Sequence, residues 1–242
     1  MTTTTTTTTS CHHCGALFPY EPILCFGRDL AAHLNKECPA CQARAEKHRR
    51  EEKEEERMQQ AYQMLCATLP PDLRETEEDH PEFNRPLWRA VDRWHPSAGQ
   101  RTLGIIGPAA RCKTRVLALL ARRVISGGTR VCWTSAVRLK DAAHDRMSRE
   151  REISALAREH LRECLTAPWL FLDDLGKNEW TAAFESQLFQ ILDHRLNHHL
   201  PMAWTANDHP ETFLPVISAM NASPIIGRLL DRCTVLDLRE RE

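Results

Sequence analysis

Eight residues near the middle of the chain combine the features of a phosphate-binding loop. The segment reads Gly107-Pro-Ala-Ala-Arg-Cys-Lys-Thr114, and it lies between the apolar run 103–106 and a helical pattern over 116–125. Backbone N–H groups in such a loop curl around an anion, and the positive N-terminus of the next helix faces the same charge. The pattern predicts that Lys113 contacts the β- and γ-phosphates of a nucleotide and that the Thr114 hydroxyl completes a Mg²⁺ shell.

Cys112 departs from the usual form of this loop, G-x-x-x-x-G-K-[ST], because it stands where the second glycine is expected. Glycine allows positive φ angles and a close approach of the backbone to the ligand, whereas a cysteine brings a Cβ and a sulfur atom. An ordinary strand-to-helix turn with a chance Lys-Thr pair explains the octamer about as well when it is viewed alone. The expected nucleotide-binding residues are Gly107, Pro108, Ala109, Ala110, Arg111, Cys112, Lys113, Thr114 and Asp173.

Two carboxylates directly follow a second apolar run. Asp173 and Asp174 come after 169–172, and a continuous apolar run is typical of a strand buried on both faces of a parallel sheet. The carboxyl ends of such strands border the crevice where these sheets bind ligands. We therefore expect Asp173 to hold Mg²⁺, directly or through water, and Asp174 to orient or deprotonate an attacking water.

Asn207 and Arg228 are weaker candidates for catalytic roles. Asn207 ends the apolar run 202–206, where its amide would contact the γ-phosphate or hold the attacking water. An Asx turn that opens the following loop explains Asn207 equally well. Arg228 precedes the last apolar run, and an arginine there can stabilise transition-state charge on the nucleotide of a neighbouring subunit. Arginines on a helix face are usually only solvated, so the residue type alone does not establish that role.

Two C-x-x-C pairs near the N-terminus predict a structural zinc site. Cys11 and Cys14 form the first pair, and Cys38 and Cys41 form the second. Four thiolates close a tetrahedral Zn²⁺ site, although the gap 15–37 slightly exceeds the usual spacing of a zinc ribbon. Spare donors leave room for one of the four ligands to be replaced. These donors are Cys25, His12, His13 and His33.

Composition limits the remaining function classes. The 242 residues include 42% hydrophobic residues and carry a formal net charge of −1, so no global basic field indicates nucleic acid. No apolar stretch has the length of a membrane span. We expect a protein that stays in the cytoplasm and has no membrane partner.

The order of segments predicts a small N-terminal domain joined to a larger one. We expect a disordered threonine-rich tail over 1–10, a zinc-binding domain over 11–43, a charged helix and linker over 44–86, and the nucleotide domain over 87–242. Within the last domain, apolar runs alternate with helical patterns, which predicts an α/β fold with a doubly wound, mainly parallel five-stranded sheet. The predicted strands are 102–106, 130–134, 169–172, 202–206 and 233–238.

With these residues in view, the chain resembles the bacterial and phage helicase-loader ATPases of the DnaC/IstB type, within the AAA+ class of P-loop NTPases. The resemblance spans roughly residues 11–238 and is carried by the order of several motifs. These are the zinc knuckles with the charged helix, LPPDLRET at 69–76, GPAARCKTR, LFLDDLGK, TAN and IIGRLLDRC.

The resemblance implies a role for each matched residue. Lys113 and Thr114 match the Walker A pair, and Asp173 and Asp174 match Walker B. Asn207 matches sensor 1. Arg228 matches the arginine finger, with Arg232 as the second choice.

The resemblance also implies cofactors and partners. It implies ATP and Mg²⁺ as ligands, a replicative helicase as partner, single-stranded DNA as a further contact, and self-assembly on the DNA or the partner. Two other functions stay open, namely a non-hydrolysing adaptor with a degenerate loop, which Cys112 favours, and an ATPase that assists a transposase. The family members that assist transposases generally lack the zinc-knuckle entrance.

Overall fold

The computed structural model describes residues 7–21, 24–26, 28–29, 37–79, 83–177 and 179–239. The chain forms two compact units, Met1–Gln59 and Gln60–Glu242. Among the described residues, no helix has both the length and the apolar composition that a bilayer crossing requires.

The N-terminal unit contains two short antiparallel ribbons and the start of a long helix. Strand β1 (Thr7–Ser10) pairs with β2 (Leu17–Tyr20), and β3 (Leu24–Cys25) pairs with β4 (Arg28–Asp29). Helix α1 (Pro39–Thr68) follows. The prediction of a disordered tail over 1–10 is wrong for Thr7–Ser10, because β-branched threonines favour extended backbone and pair here in register with Tyr20 to Leu17. The first six residues lie outside the described part of the chain.

The charged run 46–57 lies within α1. No residue of this helix is buried. Pairs of opposite charge follow its surface at helical spacing, including Lys47 with Glu51 at 3.7 Å and Arg57 with Glu54 at 3.9 Å. The run is therefore part of a solvent-exposed helix.

The second unit is an α/β fold around one five-stranded sheet. Its order is β6-β7-β8-β5-β9, and all neighbouring strands are parallel, as the sequence predicted. The strands are β5 (Thr102–Ile106), β6 (Val131–Ser135), β7 (Trp169–Leu175), β8 (Met202–Ala206) and β9 (Cys233–Asp237). The helices are α2 (Pro71–Arg74), α3 (Arg85–Arg93), α4 (Lys113–Ser126), α5 (Ala136–Asp145), α6 (Arg151–Thr166), α7 (Ala182–Asn197) and α8 (Ala219–Leu230), with a 3₁₀ turn at Pro210–Phe213.

The side chains of each strand alternate between two cores, one on either face of the sheet. In β7, Trp169 and Phe171 pack in the core that contains α4, whereas Leu170 and Leu172 pack in the core that contains α5 to α8. Both cores are continuous over the sheet because the central strands are apolar on both faces. Because the strands are parallel, the carboxyl ends of β5, β7 and β8 lie at one edge of the sheet.

The proline-marked stretch before α3 belongs to the second unit, and the predicted boundary at residue 87 lies too far along the chain. Leu69 and Leu73 are buried, and they join Leu87 and Val91 in the core beside α4. Prolines in this stretch suggested a linker. They instead start two short helices, of which α2 carries Leu73 and α3 carries Leu87.

Two glycines, one in a crowded position and one in an open position, allow the core packing to be tested with a pair of alanine substitutions. A Cβ on Gly104, in β5, would lie 2.4 Å from the ring of Trp204, which is fully buried. We expect Gly104→Ala to destabilise the fold by about 1–3 kcal/mol through overpacking. Gly227 lies inside α8 with open space around its Cβ position, so Gly227→Ala should stabilise by roughly 1 kcal/mol. Urea unfolding midpoints measure both, and equal midpoints for the two variants would contradict this packing.

Candidate functional site: the phosphate loop at the sheet edge

The loop between β5 and α4 has the backbone geometry of an anion cradle. Three of its residues have positive φ angles, namely Gly107 at 153°, Ala110 at 60° and Cys112 at 61°. Such reversals turn successive N–H groups toward one centre at the start of a helix. A Cβ on Gly107 would also lie 2.7 Å from the Cβ of Leu238, so this position accepts only glycine without rearrangement.

Lys113 is buried at the floor of this loop with 6% of its surface exposed. Its ammonium donates to the carbonyl oxygens of Gly107 at 2.7 Å and Pro108 at 2.8 Å, and to Oδ1 of Asn207 at 3.0 Å. Burial lowers the pKa of the Lys113 ammonium, whereas the Asp174 carboxylate acts in the opposite direction. An anion at this point would therefore interact favourably with a poorly solvated positive charge.

Asp173 lies behind the loop and is held by two hydroxyl groups. Thr114 donates to its Oδ1 at 2.9 Å, and Thr205 of β8 donates to the same oxygen at 2.6 Å. Burial raises the pKa of the Asp173 carboxyl, and the two hydroxyl donors partly offset that shift. A carboxylate beside a threonine hydroxyl at the start of α4 is a fitting oxygen donor pair for Mg²⁺.

Asp174 projects from an irregularity in β7 at the cavity. The register between β7 and β8 shifts between Leu172 and Leu175, and Asp174 has a φ of 57°. Its backbone N–H donates to the Thr205 hydroxyl at 2.9 Å. Lys177 donates to its carboxylate at 2.9 Å. Such a bulge re-aims one side chain out of the sheet, and here it points the second carboxylate at the loop.

A cavity of about 330 Å³ lies over these groups. Its lining includes Lys113, Thr114, Asp174, Lys177 and Asn207. A second cavity of about 470 Å³ shares Arg111 with the first and is lined by a mixture of polar and apolar side chains from 84–90 and 235–238. The first has the charges to hold a polyphosphate.

Arg228 does not reach this cavity within the chain. Its guanidinium donates to Oδ1 of Asp193 at 2.7 Å and lies 4.3 Å from the ring centre of Phe189. Asn207, in contrast, lies at the cavity. The loop, Asp173, Asp174 and Asn207 are therefore brought together, whereas Arg228 is held on the surface between α8 and α7.

Sequence reasoning did not single out Thr205 and Lys177. Thr205 bonds both to Asp173 and to the backbone of Asp174, so it fixes the relative position of the two acids. A threonine one residue before the apolar run 202–206 ends is a signal that would have found it. Lys177 follows Asp174 by three residues, a spacing that is common in surface ion pairs. Nothing in the sequence indicated that it lines the cavity.

In the N-terminal unit, the four predicted zinc ligands form a compact thiol cluster. The sulfur atoms of Cys11, Cys14, Cys38 and Cys41 all lie within 4.8 Å of one another. Four thiolates at about 2.3 Å from one tetrahedral ion would be about 3.8 Å apart, so the set fits Zn²⁺. The backbone N–H of Cys38 donates to the Cys11 sulfur at 3.3 Å and lowers the pKa of that thiol to about 6.

The spare donors do not complete this cluster within the described residues. His13 is paired with Glu37 at 2.8 Å. The side chain of Cys25 and all of His33 lie outside the described part of the chain.

Comparison with known protein families identifies the family to which the larger unit belongs. The family model described as IstB-like ATP binding protein matches residues 97–241. The chain belongs to this family. The match covers more than half of the chain and every residue that lines the first cavity, so this IstB-like protein contains an ATP-binding domain of that family. A search of curated protein sequences finds no match.

Solved structures share the fold of this IstB-like chain at low sequence identity. DnaI matches with a TM-score of 0.54 and 19% identity, over 70% of this chain and 91% of its own. The DnaC helicase loader matches at 0.50 and 20%, over 69% of this chain and 99% of its own. A DNA replication initiation factor matches at 0.51 and 18%, over 68% of this chain. The IstB-like chain spans 50% of the length of that factor. These likenesses show that the chain shares the fold of these proteins.

Proposed function

We propose that this chain binds Mg·ATP in the loop 107–114, hydrolyses it slowly, and helps to place a replicative helicase on single-stranded DNA. The observation that carries the proposal is the convergence of Lys113, Thr114, Asp174 and Asn207 on one cavity at the carboxyl edge of the sheet, with Asp173 bonded to the Thr114 hydroxyl. Family membership supports ATP as the nucleotide.

Each residue receives a role from its position. Lys113 exchanges the carbonyl oxygens of its own loop for phosphate oxygens, and Thr114 with Asp173 would hold the Mg²⁺. A bound Mg²⁺ would supply charge neutralisation for the phosphates. Asp174 positions and deprotonates the attacking water, and Asn207 orients the Lys113 ammonium, to which it is already bonded.

The helicase role draws on relatives of the same fold. A helicase loader and DnaI lie among the structures that this fold resembles. The four-cysteine unit would then supply a zinc-stabilised contact surface for the helicase or the DNA. Four thiols within 4.8 Å of one another support that reading.

The experiment that tests this function measures ATP hydrolysis by the full chain with Mg²⁺, alone, with single-stranded DNA, and with the replicative helicase of the same source. We expect slow basal hydrolysis that DNA or helicase changes by several-fold, and co-elution of chain and helicase in the presence of ATP. ATP binding without any effect of DNA or helicase would reject the loading role and keep the nucleotide site.

Arg228 enters the proposal as a residue that acts on a second copy of the chain. Its side chain lies outside its own cavity and is held by Asp193, which is compatible with a finger that reaches a neighbour's nucleotide. Hydrolysis per chain should then rise with protein concentration. A rate per chain that stays constant over a wide concentration range would remove this role.

The second candidate, a non-hydrolysing adaptor, is favoured by the backbone at Cys112. A non-glycine residue in the left-handed region costs about 1–2 kcal/mol, and Cys112 pays this cost at a φ of 61°. Glycine would recover it, less about 0.5–1 kcal/mol of additional chain entropy. We expect Cys112→Gly to raise the melting temperature by a few degrees and to raise the ATPase rate.

Ala110→Gly is the matched control, because Ala110 has a φ of 60° and the variant keeps the thiol. Similar rate increases in both variants would assign the defect to backbone strain, and an increase in Cys112→Gly alone would assign it to the thiol side chain. Lower ATPase activity in Cys112→Gly would show that the loop has adapted to the cysteine.

A further inference from the structure

Two thiol sulfurs and one imidazole nitrogen lie close together inside the second unit, between the sheet and α6. Cys132 lies in β6, and His160 and Cys164 lie one turn apart on the same face of α6. The two sulfur atoms are 3.7 Å apart, and Nε2 of His160 is 3.8 Å from the Cys164 sulfur. All three donor atoms lie within 4.8 Å of one another.

These distances match a metal-ligand set more closely than a disulfide. A metal ion with bonds of about 2.3 Å to sulfur and 2.0–2.1 Å to nitrogen places two sulfurs about 3.8 Å apart and sulfur and nitrogen about 3.6 Å apart. The separation of the two sulfurs and that of the Cys164 sulfur from Nε2 lie within about 0.2 Å of these values. A disulfide needs the sulfurs at about 2.05 Å, which would require Cys132 and Cys164 to approach by more than 1.5 Å.

The surroundings provide a route of entry and a counter-charge. Both cysteines are buried, whereas His160 is half-buried and lines a surface cavity of about 250 Å³ together with Asp141, Asp145 and Arg138. His160 therefore connects the thiols to solvent. From α7, the buried guanidinium of Arg195 donates to the carbonyl oxygen of Cys164 at 3.0 Å, and its charge lies close to both sulfur atoms.

The hydrogen bond between His160 and Thr134 does not prevent Nε2 of His160 from binding a metal ion. The Thr134 hydroxyl lies 3.0 Å from Nε2, and it also donates to the carbonyl oxygen of Ser135 at 3.3 Å. The Thr134 hydroxyl can still donate to the Ser135 carbonyl oxygen when the lone pair of Nε2 binds a metal ion. Thr134 itself is fully buried, so it also helps to fix the position of the imidazole ring.

We propose that Cys132, His160 and Cys164 bind one Zn²⁺ ion, separate from the four-cysteine cluster of the N-terminal unit. Binding converts the two thiols to thiolates and releases two protons, so that the ion and its protein ligands together are neutral. A water molecule takes the fourth position of the tetrahedron. The ion ties α6 to β6, the neighbour of the strand that carries Asp173 and Asp174, and thereby stabilises the ATPase fold.

The test compares the metal content of full-length variants. Purified reduced protein is loaded with Zn²⁺, freed of excess metal, and analysed by mass spectrometry of the element. We expect Cys164→Ser and His160→Gln each to carry one ion per chain fewer than the wild type. Cys233→Ser, which alters a thiol in β9 outside the cluster, should carry as many as the wild type. Cobalt-loaded Cys164→Ser should also lose part of the thiolate-to-metal absorption.

The test uses the difference in metal content between variants, so its result does not depend on how much metal the N-terminal cluster holds. Equal metal content in the wild type, Cys164→Ser and His160→Gln would overturn the proposal. A Cys132–Cys164 disulfide found in the protein as purified, with the same metal content in all variants, would also overturn it. If Cys164→Ser fails to fold, His160→Gln at its half-buried position still gives the comparison.

Discussion

Replacing Lys113 with alanine should weaken ATP binding by about 30- to 3,000-fold, because truncating one partner of a buried charged contact costs roughly 2–5 kcal/mol. Lys113 is 6% exposed, and the present partners of its ammonium are two loop carbonyls and an amide oxygen. Its hydrogen-bond partners are all neutral, so a bound phosphate would be the first anionic group in direct contact with it. Calorimetric titration with Mg·ATP measures the loss.

Lys140→Ala is the control for the Lys113 variant. Lys140 is a lysine of α5 that does not line the cavity over the loop. It should leave ATP affinity within about two-fold of the wild type, since surface charges contribute little. Retained ATP binding by a folded Lys113→Ala protein would show that the loop is not the nucleotide site.

Replacing Asp174 with asparagine should reduce ATP hydrolysis by about 10²- to 10⁴-fold while ATP binding is retained, because a positioned general base contributes about that much. The substitution is well matched to the backbone. Asp174 has a φ of 57°, and asparagine tolerates the left-handed region as well as aspartate does. The substitution also removes the charge of the partner to which Lys177 donates at 2.9 Å, while the asparagine oxygen can still accept.

Single-turnover hydrolysis together with nucleotide binding checks the Asp174 variant. Asp231→Asn provides the control, since it changes an exposed aspartate at the end of α8. Hydrolysis at the wild-type rate in Asp174→Asn would assign the water-activating role to another group. Loss of binding as well as hydrolysis would instead indicate that Asp174 contributes to the metal or phosphate contacts.

The sheet and most of the cavity follow from local patterns in the sequence. Runs such as 102–106 and 202–206 are apolar on both faces, and this composition already specifies central parallel strands. The carboxyl ends of such strands meet at one edge. The sequence alone therefore predicts that Asp173, Asn207 and the loop around Lys113 lie together.

Features that depend on contacts between distant segments were not predictable in this way. The irregularity that turns Asp174 toward the loop arises from the pairing of β7 with β8, and pairing register is not visible in a single strand. Prolines around Leu69 resembled a linker because burial of that side chain depends on α4. Cys132 and Cys164 looked like scattered thiols until the packing of α6 on the sheet brought them to 3.7 Å.

One measurement tests the central claim most directly, namely calorimetric titration of Mg·ATP into the purified wild-type chain. The geometry of the loop, with Lys113 and the two acids at one cavity, predicts saturable binding of one ATP per chain, weakened when Mg²⁺ is removed. A folded protein that gives no saturable signal with ATP at millimolar concentration would contradict the account. The chain would then be a scaffold that keeps the AAA+ fold without its nucleotide.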